Sequence, residues 1–117
     1  MYRGVSVLTM FAIKANITVG AMDEIRESLL ALGVSRLRMA GVNGYTSGHT
    51  REIVYRGVRH VLPLFPEVEL EAITRDEDVD EVVGTIIRIS RQMHNDGYVI
   101  VTPVDQCYRI RTGVREM

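Results

Sequence analysis

In the segment EVELEAIT, Glu67 to Thr74, acid and apolar residues alternate as far as Ala72: Glu67, Glu69 and Glu71 on one side, Val68, Leu70 and Ala72 on the other. Successive side chains of a β-strand point to opposite faces, so this pattern describes a strand with one face for a core and one for charge. VSRLRMAGV, Val34 to Val42, repeats the device, with Leu37 and Met39 opposed to Arg36 and Arg38. If the apolar sets face a layer of helices, Arg36, Arg38, Glu69 and Glu71 share the opposite face. Antiparallel pairing of the two strands then lets basic and acidic side chains meet across the sheet. Apolar Val42 and Ile73 beside these charges suit an assembly face, and a symmetric homo-oligomer is expected.

The rest of the chain supplies the helices and two more strands. RDEDVDEVVGTIIRISRQM carries Val79, Val82, Val83, Ile86 and Ile89 as one apolar stripe, with acids at its start and Arg88 and Arg91 near its end, as the helix dipole favours. MDEIRESLLALG places Met22, Ile25, Leu29 and Leu32 at helical spacing and stops at Gly33. VLTMFAIKANIT (Val7–Thr18) and YVIVTPV after the turn Asn95-Asp96-Gly97 read as strands. The order is β-α-β-loop-β-α-β, which predicts an α+β, ferredoxin-like βαββαβ domain with an antiparallel sheet and two helices on one face. The stretch Asn43 to Pro66 is read as a connection without regular structure, long for a compact domain and hence a mobile, solvent-reaching loop that carries function, centred on residues 44–62.

The C-terminal YRIRTG, Tyr108 to Gly113, reads as a last short strand. In that conformation Arg109 and Arg111 share a face, and Ile110 points the other way, toward the core. Two neighbouring guanidiniums call for an anion between them, either acidic side chains of the protein or a phosphate brought by a ligand.

With 117 residues the chain suffices for one domain, and a net charge of −1 lacks the basic footprint of a nucleic-acid binder. The one cysteine, Cys107, permits no intrachain disulfide and fits a reducing compartment. No run approaches a membrane span and the N-terminus lacks a signal-peptide pattern, so a cytoplasmic protein that is not membrane-inserted is expected. His49, His60 and His94 lack ligand spacing, and the run DEDVDE lacks the spaced oxygens of a calcium loop, so no metal is expected.

Taken together and in order, MDEIRESLLALGV, GHT, YRG, FPEVELE, VDEVVGTIIRIS, DGYVIVTPV and RIRTG resemble the PII signal-transduction family from about Ala15 to Gly113. The resemblance implies a single domain over residues 1–117, with residues 1–9 as an N-terminal extension and residues 44–62 as the family's mobile loop. It implies a homotrimer with an adenine nucleotide (ADP, AMP or ATP) in each cleft between subunits. It also implies a regulator that passes carbon, nitrogen or energy status to a protein target such as a transporter or an enzyme. By the same resemblance, Arg109 and Arg111 reach the phosphates. The turn Asn95-Asp96-Gly97-Tyr98 wraps them with backbone N–H groups, Gly44 lets backbone approach the ligand closely, and Ile73 packs near the base. Arg38 stands where the family has a small hydroxyl residue against adenine.

The departures from the family pattern are equally informative. Tyr98 replaces the lysine of the Gly-Asp-Gly-Lys turn, which removes a cation from the triphosphate end and weakens ATP relative to ADP or AMP. The loop-base glutamine is missing, and Glu67 replaces a lysine that pairs with the carboxylate of 2-oxoglutarate, so that effector is not expected. His60 replaces the modifiable tyrosine, while Tyr55 survives in YRG. The shortened loop base Thr46-Ser47-Gly48-His49-Thr50 offers N–H and hydroxyl donors to a small anion. That suits bicarbonate, the effector of a carboxysome-associated PII-like group that binds ADP or AMP. The alternative is a small ferredoxin-like enzyme of the acylphosphatase type, with Asn95 or Asn43 positioning water; it needs an arginine-bearing loop after the first strand, and none is present. An RNA-binding module needs aromatic residues on central strands, which a chain with two Phe and no Trp supplies poorly.

Overall fold

A computed structural model of the chain describes residues 9–45, 51–62 and 64–116. The elements run β1 (Met10–Ile17), α1 (Met22–Ala31), β2 (Arg36–Tyr45), β3 (Arg51–Tyr55), β4 (Val58–Leu62), β5 (Leu64–Arg75), α2 (Val79–Gln92) and β6 (Val99–Pro103). One 3-10 turn, Val19–Ala21, leads into α1 and another, Asp76–Asp78, leads into α2. The main sheet has the order β2-β5-β1-β6, with every neighbouring pair antiparallel. This is the split βαβ arrangement of the ferredoxin-like fold expected from the order of elements.

Two-residue periodicity decides which face of the sheet is buried. Ile13, Ala15 and Ile17 of β1 pair with Ala72, Leu70 and Val68 of β5, and all six are buried under the helices. From α1 come Ile25 and Leu29, and from α2 Val82, Ile86 and Ile89, each at most 1% exposed. Leu37 and Met39 of β2 pack against the same core. Fully burying one such aliphatic side chain contributes about 1.5–3 kcal/mol, so this single interface between sheet and helices dominates the domain's stability.

Among the described residues the opposite face has no helix over it. There the Glu71 carboxylate lies 3.6 Å from Lys14 Nζ on β1 and 3.9 Å from Arg38 Nη1 on β2, bridging three strands. The cross-sheet pairing of acid and base read from the alternation is present in register, Arg38 opposite Glu71.

Two segments differ from the sequence reading. Residues 51–62 are not without regular structure: β3 and β4 form a two-stranded hairpin. Its turn, Arg56-Gly57, has φ of 53° and 76°, the double positive φ of a type I′ turn. β2 and β5 also run on past the core, pairing Asn43 with Pro66 and Tyr45 with Leu64. Local pattern hid this because β-branched and apolar residues here alternate with Arg, Tyr and His rather than with a clean polar set. The second difference is the C-terminal segment. It is not a strand of the sheet, and Ile110 is 99% exposed rather than turned to the core. The chain folds back on itself: Tyr108 bridges Arg115, the Arg109 N–H donates to Val114 O at 2.9 Å, and the Gly113 N–H donates to Arg109 O at 2.8 Å. Gly113, at φ +70°, makes the reversal. The N–H groups of Arg109, Gly113, Val114 and Glu116 are satisfied within the segment itself rather than by a strand of the sheet.

Candidate functional site

Where β2 leaves the core, it passes the turn that precedes β6. Between them lies a cleft of about 480 Å³, lined by Lys14 and Asn16 of β1, Gly44 of β2, Glu67 and Glu69 of β5, Asp96, Gly97 and Tyr98 of the turn, and Ile100. Four of the residues singled out from the sequence, Gly44, Asp96, Gly97 and Tyr98, therefore share one cavity although they are distant in the chain. Lys14 and Asn16 were missed. The signal for them was available: they occupy the positions of β1 that alternate with buried Ile13, Ala15 and Ile17, and so face the open side.

Asn95 shapes the turn. Its amide Nδ2 donates to Asn16 O at 3.0 Å, and its Oδ1 accepts from the Gly97 N–H at 2.8 Å. The first bond ties the turn to β1, and the second is an Asx-type turn. The Gly97 N–H is thus engaged by Asn95 in this structure, whereas the Asp96 and Tyr98 N–H groups make no hydrogen bond among the described residues. Those two are the donors this turn leaves for an anion.

The charges in the cleft are unbalanced. Glu67, Glu69 and Asp96 face it with Lys14 as the one cation, and Lys14 already lies near Glu71. The Glu67 carboxylate folds over Gly44, so that a Cβ added at residue 44 would overlap it. A substituted side chain there would have to displace that acid from the cleft.

The other candidates lie elsewhere. Arg38 is on the open sheet face against Glu71. Ile73 lines a second cavity, of about 280 Å³, with Met10, Val34 and Thr74. Residue 73 is eight positions along β5 from Phe65, the partner of Gly44, which at the rise of a strand is about 26 Å. Arg109 and Arg111 sit on the C-terminal turn and do not line the cleft of their own chain. Arg109 is held by Glu116, with Nε against Oε1 at 2.5 Å and Nη2 against Oε2 at 3.2 Å. This hydrogen bond and the charge of Glu116 raise the guanidinium's pKa above its ordinary value. Arg111 has no ion pair or hydrogen bond among the described residues. Tyr55 and His60 fall in β3 and β4, and Thr46, Ser47, Gly48, His49 and Thr50 lie outside the described residues. Among the described residues no three His, Cys, Asp or Glu side chains are grouped to hold a metal ion, and no helix is long and apolar enough to cross a membrane.

Known proteins bear on this arrangement. Residues 10–114 match the family model described as nitrogen regulatory protein P-II. The chain is similar to proteins of that name from Cereibacter sphaeroides, at 37% identity over 89% of this chain and 94% of the relative, and from Haemophilus influenzae, at 36% identity with the same coverage. Among solved structures it is similar to Arabidopsis thaliana PII bound to citrate, with a TM-score of 0.69 and 22% identity over 92% of this chain and 88% of that one.

Proposed function

This chain belongs to the nitrogen regulatory protein P-II family, and on that premise we propose that it is a homotrimeric sensor of adenine nucleotides. The nucleotide occupies the seam between protomers, and residues 44–62 carry its state to a protein target such as a transporter or an enzyme. Members of this family are regulatory signal transducers, not enzymes. The acylphosphatase reading falls with that, since no arginine lies between β1 and α1.

The observation that carries the reading is the incompleteness of the cleft. Gly44, Asp96, Gly97 and Tyr98 gather around a space of drug-like size, with two backbone donors to spare. Three carboxylates and one engaged amine cannot hold a phosphate chain by themselves. The cations best suited to the task, Arg109 and Arg111, are exposed on a turn outside this cleft. A symmetric assembly that lays this turn against a neighbour's cleft supplies guanidiniums where one protomer supplies acids and N–H groups. The uncovered sheet face, with Val42 and Ile73 among its charges, gives such an assembly a surface to form on.

For the second effector, the Glu67 carboxylate over Gly44 opposes a dicarboxylate dianion in the cleft. Bicarbonate carries one charge and is the effector we assign, with the hydroxyl and N–H groups of Thr46 to Thr50 as its donors, as in the carboxysome-associated group of the family. Calorimetry with ATP, ADP and AMP, each alone and with bicarbonate or 2-oxoglutarate, tests the whole reading. Saturable binding of ADP and AMP without turnover, tightened by bicarbonate and indifferent to 2-oxoglutarate, is the expected pattern. Absence of any nucleotide binding overturns the proposal, and coupling to 2-oxoglutarate overturns the role given to Glu67.

A further inference from the structure

We propose that Glu116 is an internal stand-in for the ligand's phosphate: its carboxylate engages the Arg109 guanidinium, and a nucleotide must displace it. The inference rests on the nucleotide reading above and adds a residue that sets the affinity. Both Glu116 oxygens engage Arg109, one at Nε and one at Nη2, the two-pronged geometry that a phosphate also uses. The contact is built by the turn. The Tyr108–Arg115 bridge and the bond from the Glu116 N–H to Cys107 O at 2.7 Å set residue 116 opposite residue 107, diagonal to residue 109 on the same side of the turned-back segment. Arg111, two residues away, has no ion pair or hydrogen bond among the described residues and is open to a ligand.

The arrangement also answers a physical difficulty. Arg109 and Arg111 stand two residues apart on one turn, and Glu116 offsets one of the two charges. Because the pair is about half exposed, at 45% and 38% of the side chains, its hold is modest and reversible. A tighter, buried pair would lock the arginine away, whereas an exposed one reduces affinity without abolishing it. The ligand class it selects against is the one that reaches Arg109 with a single weakly charged oxygen. A diphosphate displaces the carboxylate more readily than a monophosphate does.

Calorimetric titration of ADP into the full chain and into its Glu116→Gln and Asp105→Asn variants tests this. Asp105 is a carboxylate of the same segment with no hydrogen bond or ion pair among the described residues, so its removal reports general electrostatics only. Glu116→Gln should tighten ADP by about two- to fivefold, the range of an exposed ion pair, while Asp105→Asn stays at the parent value. Unchanged or weakened binding in Glu116→Gln overturns the inference, as does an equal gain in Asp105→Asn. In both cases intact ADP binding by the parent leaves the nucleotide reading standing; a parent that binds no ADP removes both.

Discussion

At the scale of single residues, Arg109 and Tyr98 test the proposed nucleotide site. Arg109 is ionised at any pH the protein meets, since its Glu116 partner raises a pKa that is already high. The pair would lose its charge on the arginine side only in strong alkali, so nucleotide affinity should not fall between neutral and mildly alkaline pH through this residue. Arg109→Ala removes a charged hydrogen-bond donor, and ADP affinity measured by calorimetry should fall by about tenfold or more. Undiminished binding would show that the phosphates lie elsewhere. Tyr98 is 84% exposed and lines the cleft where the family carries a lysine. Tyr98→Lys restores a cation beside three acids, and the ratio of ATP to ADP affinity should rise by about fivefold. An unchanged ratio would separate the triphosphate end from this turn.

At the scale of elements, α2 and the hairpin β3–β4 contrast. α2 presents Val82, Ile86 and Ile89 to the core, starts with Asp80 and Glu81 and ends with Arg91, so pattern and dipole agree. Ile86 is 1% exposed, and Ile86→Ala should destabilise the domain by about 2–5 kcal/mol, read as a lowered midpoint in urea at unchanged slope. A loss under about 1 kcal/mol would mean that the sheet collapses onto the gap. This helix was legible because a 3.6-residue stripe is a local property of the sequence. The hairpin was not. Its strands are five residues each, Arg51–Tyr55 and Val58–Leu62, and its turn places Arg56, a non-glycine, at φ 53°. No Asn-Gly or Asp-Gly marks it, so the usual hairpin signature was lacking.

At the scale of the whole molecule, the uncovered face of β2-β5-β1-β6 and the incomplete cleft point to the same assembly. Light scattering on the purified protein should give three times the mass of one chain. A monomer at micromolar concentration would leave the cleft without its arginines and the proposed site without a basis. Substituting Arg38→Glu sets two acids opposite each other at the Glu71 position of the open face, and the trimer mass should then decline on dilution where the parent's does not. A variant as persistent as the parent would place the assembly contacts away from this row of charges.

The amino-acid order alone determined the succession of the four sheet strands and two helices, and which faces of β2 and β5 are buried. Both follow from periodicity, a relation between residues a few positions apart, whereas the pairing of Arg38 with Glu71 needed the register of β2 on β5. The C-terminal segment shows the limit. Alternation in Tyr108 to Gly113 is the same in a sheet strand and in a segment that turns back on itself, and only the Tyr108–Arg115 bridge and the contact of Glu116 with Arg109 distinguish them. Likewise, that Lys14, Gly44, Glu67 and Asp96 surround one space depends on pairings between residues tens of positions apart. Such contacts are fixed by the closure of the sheet, because strand register and helix packing bring these residues together.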